Sequence, residues 1–185
     1  MLGAIPADSA RRVFAGWATN TSRPFMVGPA VPWYASQRDT TSILALLAKA
    51  EADPRPGLPV DAIRAYLALA RADTAEAIRR MTLPDSACIG WCFAVRNPLA
   101  AMLFAQKRDR EAAAILDQEF LQPVPTRIAW MLLRGRVNER LGERAKAIDS
   151  YSFVASAWRN ADPELQPIVT EARDALRRLS SDAPR

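Results

Sequence analysis

The stretch Arg134–Tyr151, RGRVNERLGERAKAIDSY, has the pattern of a helical hairpin with its turn at Gly142. Apolar and small residues recur at helical spacing on both sides of this glycine. Those before it are Ile128, Met131, Leu132 and Gly135, and those after it are Ala147, Ile148, Tyr151, Val154, Ala155 and Trp158. Two such helices joined by a tight turn form an antiparallel hairpin, and neither can bury its apolar face alone. We therefore expect this hairpin to stack on neighbours of the same kind.

Three similar turns come earlier in the chain, and an acidic residue marks all four. These residues are separated by 34, 36 and 34 positions, and they are Asp39, Asp73, Asp109 and Glu143. Each is followed by an alanine-rich or apolar helical stretch, and a fixed period of this length is typical of helical repeat proteins. The sequence therefore predicts an all-α fold, an α-solenoid of about three to four antiparallel helical hairpins.

The two ends of the chain differ from its middle. The predicted repeat domain covers residues 36–185 and closes with a capping helix over 163–180, which begins with an N-cap at Asp162. Residues 1–35 form a predicted N-terminal arm, with one short helix that carries on one face Ala10, Val13, Phe14 and Trp17. A proline-rich segment follows, in which we expect a short or degenerate helix because of Pro24, Pro29 and Pro32.

The chain is basic, with a formal charge of +5 and a pI of about 9.8, yet 20 acidic residues are interleaved with its 25 basic ones. This mixture favours a solvated surface over a nucleic-acid face, and Arg-mediated binding to nucleic acid or to an anionic membrane surface is the alternative. The chain has no histidine, which excludes Ser-His-Asp and Cys-His catalysis and histidine metal sites. We predict no enzyme activity, cofactor or metal, since no spacing matches a catalytic signature.

Cysteine usage and hydropathy favour a cytoplasmic protein. Cys88 and Cys92 are too few for a closed zinc site, and we interpret them as core residues in a reducing compartment. The N-terminus lacks the order of a secretory signal, and no apolar run is long enough to span a membrane. A place at the periphery of a membrane complex is the alternative location.

These features resemble the tetratricopeptide repeats. The family pattern has a small residue in the first helix, glycine at the turn, alanine early in the second helix and an aromatic residue four positions later. In this chain those places are held by Gly135, Gly142, Ala147 and Tyr151. The last unit and the capping segment are also similar to the C-terminal repeat arrays of bacterial serine/threonine kinases and transcriptional regulators.

The resemblance implies protein–protein recognition in a groove lined by the first helix of each repeat. Carried over by position, the groove residues are Tyr66, Leu69, Met102, Gln106, Arg136, Glu139 and Arg140. Arg136 and Arg140 are four residues apart on one helix face, where together they could hold a carboxylate or phosphate of a partner. The alternative is that these side chains are only the solvated face of the array.

A second candidate site lies in the N-terminal arm, where apolar and aromatic residues are concentrated. If they are exposed, they form a patch of the kind that dominates protein interfaces, and its residues are Phe25, Met26, Trp33 and Tyr34. The alternative is that they pack against the open end of the repeats. We predict a scaffold-like adaptor or accessory subunit of a larger assembly of proteins, which could be membrane-associated; regulation of a separate kinase or transcription factor is a variant of this role.

Overall fold

The computed structural model describes residues 6–19, 27–52, 60–82, 92–118 and 124–181, and all regular structure within these ranges is helical. The predicted all-α class is therefore confirmed. The helices are α1 (Ala7–Thr19), α2 (Val27–Ser36), α3 (Thr40–Ala52), α4 (Val60–Ala70), α5 (Thr74–Met81), α6 (Cys92–Ala105), α7 (Asp109–Leu116), α8 (Val124–Leu141), α9 (Arg144–Ala157) and α10 (Gln166–Ser181), with a 3-10 helix at Pro163–Leu165. No helix in these ranges is long and apolar enough to cross a lipid bilayer.

The helices form two compact units, which divide within α6. In the first unit, Gly3–Met102, α4 packs against α2, α3 and α5. Seven residues of α4 are buried and four of these are alanines, so neighbouring backbones can approach it closely. Helix α2 contains Pro32, is ten residues long and packs against α3 and α4, while α1 packs against α2. The last part of the predicted arm 1–35 thus lies in one compact unit with the first helices of the predicted repeat domain.

In the second unit, Leu103–Arg185, α9 packs against both α8 and α10, and α8 also packs against α7. The apolar stripe that follows Gly142 is the buried face of α9, and the core here comprises Ile128, Leu132, Ala147, Tyr151, Val154, Ala172 and Ala175. Helix α10 and the 3-10 helix before it occupy the predicted capping segment. The buried face of α10 contains Val169, whereas Thr170 and Arg173 are exposed on its outer side.

Four turns, those that follow α2, α4, α6 and α8, have the same backbone conformation. Each contains one left-handed residue, with φ of 56°, 62°, 60° and 77° at Arg38, Ala72, Lys107 and Gly142. After α4, the amide of Ala72 donates to the carbonyl of Leu69 at 3.0 Å and that of Asp73 donates to Ala68 at 2.9 Å, and the other three turns repeat both bonds at the same offsets. This pair of bonds is the Schellman motif. The left-handed residues are 34, 35 and 35 positions apart.

The residue after each left-handed position precedes the next helix. The side chains of Asp39 and Asp73 cap that helix by accepting hydrogen bonds from the amides of Ser42 and Glu76, both at 3.0 Å. Arg108 and Glu143 hold the same position without a side-chain cap bond. Asp109, which the sequence pattern placed at the third turn, lies one position later as the first residue of α7. With Arg108 in place of Asp109, the four positions are separated by 34, 35 and 35 residues, and the irregular interval of 36 residues in the sequence pattern disappears.

Helices α8 and α9 approach each other closely at Gly135. A Cβ atom built on this glycine would lie 2.7 Å from Cε1 of Tyr151 and 2.9 Å from Cδ1, so the phenol ring fills the space that a side chain would need. Tyr151 is itself buried. The absence of a side chain at position 135 is therefore what lets the aromatic ring of the facing helix enter the core.

Candidate partner-binding site

The predicted groove residues divide between the two units. In the first unit, Tyr66 is only 4% exposed, and its hydroxyl donates a hydrogen bond to the carbonyl of Ala94. Burial raises the pKa of Tyr66 above its usual range. Tyr66 is thus a core residue that ties α4 to α6, and its side chain does not line an exposed groove. Leu69 and Met102 are half-buried and keep part of their surface accessible.

In the second unit, Arg136 is held by the last helix. Its guanidinium donates two hydrogen bonds to the carboxylate of Glu171 on α10, at 2.5 and 2.6 Å. The pKa of Arg136 is raised by the Glu171 carboxylate. Both side chains are about two-fifths exposed, so solvent screens the pair and we expect it to contribute only about 0.2–1 kcal/mol to stability.

Arg140 is engaged in a different direction, toward α6 and α7. Its guanidinium lies 3.7 Å from the centre of the Phe104 ring and donates a hydrogen bond to the Phe104 carbonyl at 2.6 Å. It also forms a bidentate ion pair with Asp109. Stacking on the ring and pairing with the carboxylate together fix the plane of the guanidinium.

Glu139, between these two arginines in sequence, contacts α9 and α10. One of its carboxylate oxygens accepts a hydrogen bond from the Tyr151 hydroxyl at 2.7 Å, and the other accepts one from Arg178 on α10 at 3.0 Å. Burial, followed by the bond to the Glu139 carboxylate, raises the pKa of Tyr151 above its usual range. Glu139 therefore links α8, α9 and α10.

The structure does not join Arg136 and Arg140 into one anion site, because each guanidinium pairs with a carboxylate on a different neighbouring helix. The sequence pattern placed them on a common face and did not identify these partners. Gln106, at the turn after α6, is exposed. The charged part of the predicted groove is thus a set of internal ion pairs with partly exposed edges.

In the predicted arm, Trp33 and Tyr34 are buried, at 5% and 3% exposure. Their rings contact one another at 5.2 Å between centroids, and Phe14 of α1 lies 5.1 Å from the Trp33 ring. These two residues therefore pack within the first unit, as in the alternative considered above, and present no exposed patch while α1 is in place. Phe25 and Met26 lie outside the described residues, as does Cys88, and nothing is described of the Cys92 side chain.

Sequence patterns alone missed the partners of these residues. Arg11 pairs with Asp39 at 3.1 Å, and Glu171 and Arg178 pair with α8 across 35 and 39 positions. Helical spacing shows which residues share a face, but it does not show which distant side chain faces them. The one available signal was the cluster of charged residues in RGRVNER of α8, which predicts residues of opposite charge on neighbouring helices.

Comparisons with family models, with curated proteins and with solved structures gave no match for this chain. The tetratricopeptide resemblance therefore stands on the residues quoted above and remains a prediction. Within the part of the chain that the structure describes, no group of three or more cysteine and carboxylate side chains converges in the manner of a metal site.

Proposed function

We propose that the chain is a non-catalytic protein-binding module, an adaptor or accessory subunit built as a solenoid of tetratricopeptide-like hairpins. The observation that carries the proposal is the Schellman turn repeated at intervals of 34, 35 and 35 residues. Identical turns at a fixed period are expected when one helical hairpin is used repeatedly. Arrays of such hairpins expose extended surfaces, and binding of other proteins is the use that such surfaces suit.

Two further features support the repeat architecture. Gly135 and Tyr151, which hold the small and the aromatic place of the family pattern, lie against each other across the two helices of the hairpin. Helix α10 buries Val169, Ala172 and Ala175 and turns a polar side outward, as a capping element of a repeat array does. The solenoid and the number of its hairpins remain part of the proposal.

The accessible edge that we assign to the partner lies in the second unit, at the turn after α6, where Gln106 is exposed. In this proposal, Arg136, Glu139 and Arg140 contribute mainly by ordering that surface through their internal ion pairs. Their residual exposure leaves them able to add polar contacts at the rim of an interface, where charges affect specificity more than affinity.

Nucleic-acid binding receives less support from the described arginines. Arg64, Arg80, Arg134, Arg136 and Arg140 each form an ion pair with an aspartate or glutamate. A guanidinium already paired with a carboxylate must lose that pair before it can bind a phosphate. This loss lowers the net free energy gained on phosphate binding. The excess positive charge of the chain still predicts weak, salt-sensitive attraction to polyanions.

Affinity purification of the tagged chain from its native source tests the role. The captured material is washed at low and then at high salt, and both protein and nucleic acid are identified. We expect a stoichiometric protein companion that survives high salt. Nucleic acid or lipid that is lost at high salt, with no protein companion, would instead make the arginines the site and refute the proposal.

The location of the site is tested by photo-crosslinking in the same source. A crosslinking amino acid is placed at Gln106 in one variant and at Ser152, an exposed residue of α9, in a matched control. We expect the companion to be crosslinked from position 106 and not from position 152. Equal crosslinking from both positions would show that the assigned edge is not the binding surface.

A further inference from the structure

The last turn of α10 combines an exposed hydroxyl group with two exposed guanidiniums. Ser180 is exposed, and it follows Arg177 by three residues and Arg178 by two. The side chain of Arg177 is 75% exposed and that of Arg178 is 58% exposed. A hydroxyl group with arginines at these two preceding positions has the charge pattern by which arginine-directed protein kinases select their substrates.

A second hydroxyl group stands in the same sequence pattern, but its arginines are engaged. Thr82 follows Arg79 and Arg80 at the C-terminal end of α5. The side chain of Arg80 is 25% exposed and pairs with Glu76 and Asp61. Arg79 donates two hydrogen bonds to the Glu76 carboxylate, both at 2.7 Å. A kinase would have to break these ion pairs to bind the two arginines, so the pattern in α10 is the more accessible of the two.

A third guanidinium lies beside the hydroxyl-bearing residue of α10. Arg144, the first residue of α9, donates two hydrogen bonds to the carbonyl oxygen of Leu179, at 2.9 and 2.6 Å. This carbonyl belongs to the peptide group that joins Leu179 to Ser180. Arg144 forms no ion pair with a carboxylate of the described residues. A phosphate is a stronger acceptor for a guanidinium than a neutral carbonyl, so a phosphate on Ser180 would be held here.

We infer that Ser180 is a phosphorylation site for an arginine-directed protein kinase, and that Arg144 and Arg177 hold the resulting phosphate. The kinase transfers the γ-phosphoryl group of a nucleoside triphosphate to Oγ of Ser180. The bond from the γ-phosphorus to the β–γ bridging oxygen breaks, and a bond from phosphorus to Oγ forms. The hydroxyl proton passes to the catalytic aspartate of the kinase, and the nucleoside diphosphate leaves. This inference goes beyond the proposed function and does not depend on it.

The kinase needs access to the last turn of α10 in an unwound form. The last buried residue of α10 is Ala175, and from position 176 to position 181 every side chain is half-buried or exposed. The contacts that must open are the bonds of Arg144 to the Leu179 carbonyl and the bond of Arg178 to Glu139. A terminal turn without a buried side chain opens at low free-energy cost compared with the core of the unit.

The phosphate changes the contacts of this turn. The Ser180 hydroxyl donates to the Leu176 carbonyl at 2.8 Å, and the phosphorylated oxygen has no proton to donate. The phosphate carries a charge of about −1.5 to −2 at pH 7, which is unfavourable at the C-terminal end of a helix. Pairing with Arg177, on the same helix face, and with Arg144 of α9 offsets this cost. We therefore expect α10 to stay docked and to carry a new negative charge at its exposed end.

Peptide mapping by mass spectrometry tests the modification. The tagged full-length chain is recovered from its native source with phosphatase inhibitors, as the unaltered chain, as Arg177→Ala and as Arg173→Ala. Arg173 is the matched control, because it is an exposed arginine of the same helix outside the pattern. We expect phosphate on Ser180 in the unaltered and Arg173→Ala chains, and at least about tenfold less in Arg177→Ala, since one charged hydrogen-bonded contact with the kinase is lost.

Three results of this mapping would overturn the inference. They are the absence of phosphate from Ser180 at every stage of growth, phosphate on Thr82 or Ser181 in place of Ser180, and equal phosphorylation of the Arg177→Ala chain. Circular dichroism checks that each variant is folded. A chain with Ser180→Ala should carry no phosphate in this peptide.

Phosphorus NMR tests the role of Arg144. The full-length chain is phosphorylated in vitro with ATP and the purified catalytic subunit of the cyclic-AMP-dependent protein kinase, and the phosphate resonance is followed against pH. The matched control is Arg159→Gln, at an exposed arginine beyond the other end of α9. We expect a lower second pKa of the phosphate in the unaltered and Arg159→Gln chains than in Arg144→Gln, because the guanidinium favours the doubly charged form. Equal pKa values in all three chains, or no transfer to Ser180, would contradict the assignment.

Discussion

Ala72 occupies the left-handed region with a φ of 62°, where a Cβ atom is unfavourable. We predict that Ala72→Gly raises the free energy of unfolding by about 0.5–1 kcal/mol, because glycine adopts this conformation without strain. The greater conformational entropy of glycine in the unfolded chain opposes this gain only in part. Urea denaturation of the two chains measures the change.

The control for this prediction is Ala75→Gly, three residues later in α5. Ala75 is exposed and helical, so the same replacement there should lower the free energy of unfolding by about 1 kcal/mol. Opposite signs at positions 72 and 75 would identify the backbone conformation as the cause. A loss of stability at both positions would contradict the strain argument.

Gly135 has an ordinary helical conformation, and its importance lies in the contact with Tyr151. We predict that Gly135→Ala lowers the free energy of unfolding by about 1–3 kcal/mol, since a Cβ atom 2.7 Å from the ring forces α8 and α9 apart. Gly16→Ala in α1 is the matched control, because nothing lies within 4 Å of a Cβ atom there. Thermal denaturation should show a loss for the first variant and none for the second.

At single positions, the sequence was informative wherever the decisive contact was local. Gly142 and Asp73, both predicted at turns, follow from backbone preferences that act over a few residues. Trp33 and Tyr34 could not be assigned in this way, because an aromatic residue has the same local pattern whether it is exposed or covered by a distant helix. Their burial depends on α1 and on the packing of α2 against α4.

Helix α10 is joined to α8 by ion pairs and packs against α9. We predict a coupling of about 0.5–1 kcal/mol between Arg136 and Glu171 in a double-mutant cycle with alanine, because the pair is bidentate although exposed. Urea denaturation supplies the four free energies. Hydrogen exchange of the α10 amides should accelerate in the Arg136→Ala and Glu171→Ala chains.

The control is the pair Asp174 and Arg177, which lies within α10 and joins no second helix. Its coupling should be about 0.2–0.5 kcal/mol, as for other pairs of this spacing on a helix, and its loss should leave α8 unaffected. A coupling of zero between Arg136 and Glu171 would show that this pair does not help to hold α10 in place.

The positions of the helices could be predicted from hydrophobic periodicity, but the contacts between helices could not. The stripe after Gly142 predicted the buried face of α9, and Asp162 and Pro163 predicted where the last helical segment begins, although the Asp162 side chain makes no cap hydrogen bond and the first turn is a 3-10 helix. The pairing of Arg140 with Asp109 was missed because the two residues are 31 positions apart and each has a plausible local role. Asp109 was assigned to a turn, and Arg140 to an open groove.

The pH dependence of the stability of the chain should be set by its carboxylates, since it contains no histidine. Hydrogen bonds from Arg79 and then Arg80 hold the pKa of Glu76 at about 2. The Arg108 guanidinium likewise lowers the pKa of Glu111, and in Asp117 the bonds from Lys146 and Arg134 outweigh a burial effect of the opposite sign and lower its pKa. These groups therefore bind protons more weakly in the folded chain than in the unfolded one.

We predict a free energy of unfolding that is nearly constant from about pH 6 to pH 8 and falls as the pH drops below about 4.5 toward 2. Because the folded pKa values are lowered, the stabilisation is complete above the unfolded values and is lost as the pH falls through the folded ones. Urea denaturation at a series of pH values measures the profile. Glu76→Gln should flatten its acidic part, and an unchanged slope in that variant would contradict the assignment.

The left-handed conformation of Arg38, Ala72 and Lys107 has a consequence for engineering this chain. Each turn is closed by a residue other than the one best suited to it, so glycine at all three positions should act as a set of consensus substitutions. The turns share none of their hydrogen-bond partners, which favours additive gains of about 1.5–3 kcal/mol in total. With this additional free energy of unfolding, the chain would stay folded when destabilising mutations are introduced on its exposed helix surfaces during selection for new binding partners.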